Sequence, residues 1–255
     1  MSDANINSSQ SPIIDKLEHL EHTRAIHVHG GLAYDTLKGF ERILSADMER
    51  TAETGCGRST ILFSNISQHH TAFCLDDHDY GDQSSIGYFE KSDLAKPANV
   101  EWVLGPTQVT LPVYNHGDPY DCVLIDGPHG YPFPDMEYYY FYPLIKPGGI
   151  LIIDDIHIPS NGRMADIIQE DAMWEFVELL STTAVFRRTS APLTPNKGDH
   201  WWTQDYNRRR ITPDMEFYLD DGKKARPFAD RASEVLGQQQ ARDTLWGRIR
   251  NKLFG

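Results

Sequence analysis

Cysteine is scarce in this chain, with three residues among 255, and this excludes a fold held together by a network of disulfides. Cys56, Cys74 and Cys122 lie in or beside the ends of predicted buried strands, so we expect reduced thiols in the core. No spacing of cysteine and histidine along the sequence indicates a structural zinc site.

Long apolar runs and positive charge are also missing. No stretch approaches the roughly 20 apolar residues of a membrane helix, so no transmembrane segment is predicted. The 24 basic residues are outnumbered by 37 acidic ones, and the net charge of -13 argues against a nucleic-acid partner, which needs a basic surface. Residues 1–12 are polar and lack a signal-peptide pattern, so we expect a mobile tail on a cytoplasmic protein.

The rest of the chain alternates between strand and helix patterns, which is typical of an α/β fold with a parallel sheet. Strands are predicted over residues 50–53, 71–75, 100–104, 121–125 and 150–153. Helices are predicted over residues 13–22, 32–46, 84–94, 134–145 and 162–180, and one more opens at Ser59 and Thr60. Two strands without a helix between them, over residues 182–188 and 200–206, then complete a seven-stranded mixed sheet with a terminal β-hairpin.

This reading divides the chain into four parts. Residues 1–12 are the tail, 13–48 the N-terminal helices, 49–210 the core domain and 211–255 a C-terminal extension. The extension contains a predicted amphipathic helix within residues 229–253. The sequence leaves open whether this extension covers the active site, and whether the chain forms a homo-oligomer.

A glycine turn follows the first predicted strand, in the run Glu53-Thr-Gly55-Cys-Gly57. Glycines let the backbone turn sharply and approach a ligand closely. The helix that opens at Ser59 and Thr60 adds unpaired N–H groups and the positive end of its dipole. The turn therefore predicts a site for a nucleotide-like or carboxylate-bearing ligand.

Two further loops carry residues suited to a nucleoside. Asp76 and Asp77 follow the second strand, where a carboxylate can accept hydrogen bonds from both ribose hydroxyls. The sequence does not choose between them, although Asp77 is favoured. After the third strand, Gly105 lets a base approach, while Thr107 and Gln108 offer hydrogen-bonding groups to an adenine edge.

Acidic side chains also end two adjacent strands. Asp126 ends the fourth strand, and Asp154 and Asp155 end the fifth. Because the ends of neighbouring parallel strands lie about 5 Å apart, the three carboxylates are expected to converge. A cation such as Mg²⁺ would relieve their repulsion and orient a substrate hydroxyl. His129, three residues after Asp126, is placed to take the proton of that hydroxyl.

The order of these pieces resembles the metal-dependent class I O-methyltransferases, which use S-adenosylmethionine (SAM), both the catechol type and the sugar and macrolide type. The similarity covers roughly residues 50–206, and the run from Gly105 to Gln108 resembles the Gly-Ala-Ser-Gln loop of catechol-type enzymes. Asp126, Asp154 and Asp155 match the family's metal ligands, and His129 stands where catechol-type enzymes have a lysine base.

The resemblance implies a Rossmann-like fold with helices on both faces of the sheet, and methyl transfer from SAM to a hydroxyl of a small-molecule acceptor, with Mg²⁺ or another divalent cation. It implies that SAM contacts the glycine turn and the loops that follow it. The residues concerned are Glu53, Gly55, Gly57, Ser59, Thr60, Asp76, Asp77, Gly105, Thr107, Gln108 and Asp126. Tyr131 and Trp202 are the aromatic residues expected to face the acceptor, and His157 is either a support of the metal site or a turn residue.

Three rival interpretations remain open. A dinucleotide-dependent oxidoreductase would prefer a third glycine where this chain has Thr60. A non-catalytic module that binds SAM or a nucleotide would not need the three carboxylates. A metal-independent SAM enzyme, acting on a carboxylate or an amine, would turn over in the presence of EDTA.

Overall fold

The computed structural model describes residues 12–23, 31–194 and 201–210. Its strands are β1 (Met48–Thr54), β2 (Ser67–Cys74), β3 (Val100–Leu104), β4 (Tyr120–Ile125), β5 (Ile145–Ile153), β6 (Trp174–Leu180) and β7 (Thr183–Arg188). They form one sheet in the order β3-β2-β1-β4-β5-β7-β6. The first five strands pair in parallel, and β7 runs antiparallel to both β5 and β6. The predicted seven-stranded mixed sheet with a terminal hairpin is confirmed.

Helices cover both faces of this sheet. They are α1 (Ile13–Thr23), α2 (Tyr34–Ile43), α3 (Arg58–Ile66), α4 (Ser85–Glu90), α5 (Thr107–Thr110), α6 (Phe133–Phe141) and α7 (Pro159–Ile168). Apolar residues of α1 to α4 form one buried cluster with the sheet, and residues of α6 and α7 form a second cluster on the opposite side. In the described part of the chain, no helix is long and apolar enough to cross a membrane.

The terminal hairpin contains one of its two predicted strands: residues 182–188 were predicted and β7 covers Thr183–Arg188, but its hairpin partner is β6 and not residues 200–206. The helix predicted over 162–180 ends at Ile168, and its last part is strand β6. Asp171 makes the turn between them, because its carboxylate accepts from the Met173 N–H at 2.9 Å and its carbonyl from the Trp174 N–H at 2.9 Å. After this turn Trp174, Phe176 and Val177 favour a strand, because aromatic and β-branched side chains are enriched in strands.

The chain divides into two compact units, residues 1–198 and 199–255. In the second unit, the strand predicted over 200–206 is wrong: Trp201–Thr203 form a 3₁₀ turn and Asp205–Arg208 a short helix, α8. The side-chain amide of Asn207 donates to the Trp201 carbonyl at 3.1 Å and so folds this segment on itself. The predicted tail, except Pro12, and the predicted extension lie outside the described residues.

The loops that carry the predicted site meet at the carboxyl-terminal edge of the parallel strands. The N–H of Gly55 donates to the Phe73 carbonyl, and the N–H of Gly105 donates to the Cys74 carbonyl, both at 2.9 Å. The N–H of Asp154 donates to the Ile125 carbonyl at 3.1 Å. These bonds continue the sheet past its strand ends and bring the four loops side by side, at the edge where open α/β sheets bind ligands.

Candidate active site

A cavity of about 560 Å³ opens at this edge of the sheet. Its volume lies in the range of about 300–1,000 Å³ that is usual for small-molecule sites. Six residues predicted to bind the cofactor line its wall: Gly55, Asp77, Gly105, Thr107, Gln108 and Asp126. Five others do not line it: Glu53, Gly57, Ser59, Thr60 and Asp76. The three cysteines are free thiols, as predicted, and Cys56 and Cys74 belong to the same wall.

Two of those five residues, Glu53 and Thr60, hold the shape of the glycine turn. Thr60 accepts from the N–H of Gly57 at 2.8 Å, and its own hydroxyl donates to the carboxylate of Glu53. Glu53, Ser59 and Thr60 are all buried. The other oxygen of Glu53, Oε2, is buried without a hydrogen-bond partner in the described ranges.

The structure distinguishes the two aspartates that follow β2. Asp77 lines the cavity, and its carboxylate caps the first turn of α4 by accepting from the Ser84 hydroxyl at 2.7 Å and the Ser85 N–H at 2.5 Å. Asp76 instead lies on the surface, 2.6 Å from Nδ1 of His78. That hydrogen bond lowers the pKa of Asp76 and raises the pKa of His78.

The second feature of the edge is a group that could hold a metal ion. Ligand atoms of Asp126, His129 and Asp155 all lie within 4.8 Å of one another. Asp155 has a φ of +52°, a conformation that non-glycine residues adopt at a cost and that is common at functional sites. The sequence predicted Asp154 as a ligand and His129 as a base, whereas in the structure His129 completes the group and Asp154 lies outside it. Asp154 is buried, and its Oδ1 accepts from the Thr183 hydroxyl.

The carboxylates in and around this group repel one another. Burial raises the pKa of Asp126 well above its ordinary value, and the nearby charges of Asp154, Glu53, Asp155 and Glu137 raise it further. Burial also raises the pKa of Asp154, although its bond from Thr183 acts in the opposite direction. A divalent cation would remove this cost, and carboxylate oxygens are the ligands that Mg²⁺ prefers. The two carboxylates of the group, Asp126 and Asp155, therefore fit the predicted metal.

Helix α7 supports His129, through two residues that the sequence analysis missed. The Ser160 hydroxyl donates to the carbonyl of His129. The side-chain nitrogen of Asn161 donates to the Asp154 carbonyl at 2.9 Å and lies 3.3 Å from Nδ1 of His129. On the other side of the ring, Nε2 lies 3.3 Å from Oδ2 of Asp155, whose Oδ1 is 3.5 Å from His157.

Glu137 is a third residue that the sequence analysis missed. It is fully buried on α6, and its Oε2 accepts from the Thr54 hydroxyl at 2.8 Å. Burial raises its pKa to about 7, although hydrogen bonding to Thr107 and Thr54 acts in the opposite direction. The sequence did carry one signal: Glu137 is the single acid within the largely aromatic run 136–141, and an acid among residues expected to be buried indicates a specific role.

The aromatic residues expected at the acceptor site have different positions. Tyr131 is 80% exposed and lies on the loop that carries His129. Phe133 lines the cavity. Trp202 belongs to the second unit, so its predicted role stays a prediction.

Residues 52–156 match a family profile described as a methyltransferase domain. No curated protein gives a significant match to the sequence. Among solved structures, a candidate O-methyltransferase from Klebsiella pneumoniae is similar, with a TM-score of 0.53 and 14% identity over 72% of this chain and 92% of that one.

Two further structures have the same fold. The O-methyltransferase TomG from Streptomyces achromogenes, involved in tomaymycin synthesis and solved with SAM, has a TM-score of 0.51 and 12% identity, over 72% of this chain and 93% of that one. An O-methyltransferase from Bacillus cereus, solved with S-adenosylhomocysteine, has a TM-score of 0.51 and 12% identity, over 73% of this chain and 94% of that one.

The sheet order and the matched residues 52–156 together give the chain the fold of a methyltransferase domain. The three solved structures named above are O-methyltransferases. The predicted resemblance and the Rossmann-like fold are confirmed.

Proposed function

We propose that this enzyme transfers the methyl group of SAM to a hydroxyl of a small molecule, such as a sugar, a polyketide or a phenol, and that a divalent cation assists deprotonation. One observation carries the proposal: Asp126 belongs both to the wall of the cavity and to the group formed with His129 and Asp155. A single strand end thus joins a site for the cofactor to a site for a cation.

The residues that line the cavity are suited to hold SAM, which supplies the methyl group on a positively charged sulfonium. Asp77 is fixed by Ser84 and Ser85, so its remaining lone pairs can accept from ribose hydroxyls without further ordering. Thr107 and Gln108 offer hydrogen-bonding groups to the base. The acidic surroundings favour a cationic donor.

Asp126 and Asp155 would hold Mg²⁺ or another divalent cation, whose positive charge favours the ionised form of an acceptor hydroxyl. Asp154 stays a predicted ligand, with one oxygen engaged by Thr183. The three carboxylates come from two adjacent strand ends, so the rigid sheet sets their spacing.

His129 would accept the hydroxyl proton through Nε2, the ring atom that faces Asp155. The amide of Asn161, oriented by the Asp154 carbonyl, donates toward Nδ1 and favours the tautomer with the ring proton on Nε2. Proton acceptance at Nε2 therefore uses the other tautomer, in which Nδ1 carries the proton and the contact with Asn161 is given up. Asp155 would then stabilise the imidazolium.

The test measures cofactor binding and turnover separately. Calorimetric titration with S-adenosylhomocysteine should give micromolar binding to the wild type, with or without Mg²⁺. Methyl transfer to a panel of catechol, sugar and polyketide hydroxyls should require the cation and stop with EDTA. Asp155→Asn should keep cofactor binding and reduce turnover at least 100-fold, because removing a metal ligand removes the stabilisation of the ionised hydroxyl.

Asp166→Asn, which alters an exposed acid on α7, is the matched control and should leave turnover unchanged. Turnover that is insensitive to EDTA would contradict the metal role and favour a metal-independent methyltransferase. Cofactor binding without turnover on any hydroxyl would favour a non-catalytic SAM-binding module.

A further inference from the structure

A second cavity, of about 630 Å³, lies toward the amino-terminal ends of the parallel strands, away from the edge that carries the first cavity. Arg50, His69 and Glu101 line it, on β1, β2 and β3. Arg50 pairs with His69 in the strand register, and Thr71, two residues further along β2, pairs with Glu101, so the three lining side chains share one face of the sheet. Other lining residues come from the segment 110–117, and the described residues that line this cavity all differ from those of the first.

Arg50 brings to this cavity a positive charge that forms no ion pair with an acid of the described residues. Its Nη2 donates to the carbonyl of His116 at 2.7 Å, and its guanidinium carbon lies 5.4 Å from the centre of the Tyr120 ring. Its Nε is buried and has no hydrogen-bond partner in the described ranges. Because a cation that is partly removed from water without an opposite charge is costly, a bound anion would stabilise this side chain.

The acids on the neighbouring strands are engaged by other groups. Oε2 of Glu101 accepts from the Tyr114 hydroxyl at 2.7 Å and lies 3.1 Å from Nε2 of His69. On the other side of β1, Asp121 pairs with Lys146 and accepts from the backbone N–H of residue 50 at 3.0 Å. The guanidinium is therefore left for a ligand.

Gly117 leaves one nitrogen of this guanidinium open to the cavity. A Cβ at residue 117 would lie 3.0 Å from Nη1 of Arg50, and the glycine has a φ of +64°, which other residues rarely adopt. Val103 and Val113 also line the cavity. The cavity thus presents a cationic group beside apolar side chains.

We propose that this second cavity binds a small monocarboxylate with an apolar or aromatic body. The carboxylate accepts from Nη1 of Arg50, and the body packs against Val103 and Val113. A carboxylate fits better than a phosphate, because Glu101 brings negative charge into the same cavity and opposes a doubly charged ligand more strongly. The inference does not depend on SAM, since it involves no residue of the first cavity.

NMR titration of the protein with benzoate tests this site, because benzoate joins a carboxylate to an aromatic ring. Benzamide is the matched neutral ligand, and inorganic phosphate is the anion without an apolar body. Benzoate should bind at least about tenfold more tightly than benzamide, the difference made by a charge-assisted hydrogen bond, and also more tightly than phosphate. Equal affinities for benzoate and benzamide, or tighter binding of phosphate that depends on Arg50, would overturn the proposal.

Arg50→Met should reduce the affinity for benzoate at least about tenfold and remove the preference over benzamide. Arg187→Met, which removes an exposed arginine of β7 outside this cavity, is the matched control and should leave both affinities unchanged. If Arg50→Met binds benzoate as the wild type does, benzoate occupies another site and the proposal is wrong.

Val113→Asp keeps the test decisive if Arg50→Met does not fold. Val113 is 81% exposed, so an aspartate there should leave the melting temperature nearly unchanged. Its negative charge should weaken the binding of benzoate severalfold and leave the binding of benzamide unchanged. The same benzoate affinity in the wild type and in Val113→Asp would contradict the placement of the carboxylate in this cavity.

Discussion

Gly55 has a backbone conformation and a contact that only glycine accepts. Its φ is +85°, and a Cβ there would lie 2.5 Å from the carbonyl oxygen of Asp126. We expect Gly55→Ala to cost about 1 kcal/mol for the left-handed backbone, and more because Asp126 must move. Displacement of Asp126 should also weaken binding of S-adenosylhomocysteine. Urea unfolding and calorimetry measure the two effects.

Gly130→Ala is the matched control for this substitution. Gly130 lies on the loop after β4, and nothing lies within 4 Å of a Cβ built on it. The control should change the free energy of unfolding by less than about 0.5 kcal/mol. Equal effects of Gly55→Ala and Gly130→Ala would show that the close approach of Gly55 to Asp126 does not matter.

Residues that act through distant partners could not be found in the sequence. The aspartates and glycines at the strand ends were predicted because each stands directly after an apolar run or in a short turn. Glu137 meets Thr54, 83 residues away, and Asn161 meets His129, 32 residues away. Such pairs form only because of how the helices and strands pack together. A local sequence pattern does not indicate which distant residues will meet.

At the scale of elements, Glu21 of α1 connects the first helix to the glycine turn through Arg58. Its carboxylate accepts from Arg58 at 2.8 Å and from the hydroxyls of Tyr34 and Tyr88. Burial alone would raise the pKa of Glu21, but these donors together lower it. Arg58 directly follows Gly57, so the N-terminal helices and the turn are held by one buried carboxylate.

We expect Glu21→Ala to destabilise the protein by about 3 kcal/mol, because the guanidinium of Arg58 is left largely buried without its partner. Arg42 and Glu178 form a matched pair between α2 and β6, also at 2.8 Å but exposed to solvent. Arg42→Ala should cost less than about 1 kcal/mol. Similar shifts of the two urea midpoints would contradict the difference attributed to burial.

The elements themselves were predictable to different degrees. Strands β1 to β5 and most helices were predicted because glycine and proline turns separate clear apolar patterns. Their ends differ by several residues, as for β5, which begins at Ile145 rather than residue 150. The strand β6 was missed because its apolar residues continue the spacing of α7, and the turn at Asp171 depends on hydrogen bonds that are not visible in the sequence.

At the scale of the whole molecule, buried acids make stability depend on pH. The folded state raises the pKa of Glu137 from 4.5 to about 7, and it also raises the pKa values of Asp126 and Asp154. Between the unfolded-state and folded-state pKa of each acid, the folded state binds more protons than the unfolded state. The free energy of unfolding therefore falls as the pH rises through this range.

Urea unfolding at pH 5 and pH 8, without divalent cations, should therefore show the protein to be less stable at pH 8. Glu137 accounts for about 3 kcal/mol at most. Glu137→Gln should remove the contribution of Glu137 to this pH dependence. Mg²⁺ should reduce the contribution of Asp126 and Asp154. A wild type that becomes more stable from pH 5 to pH 8 would contradict the raised pKa values.

The position of β7 between β5 and β6 has a consequence for synthesis on the ribosome. Strand β5, whose last four residues are buried in the finished protein, gains its second neighbour only from residues 184–187. Until those residues leave the exit tunnel, the nascent chain presents a hydrophobic strand with unpaired N–H and C=O groups at the edge of its sheet. The growing chain therefore needs protection from aggregation for as long as the ribosome takes to synthesise residues 154–183.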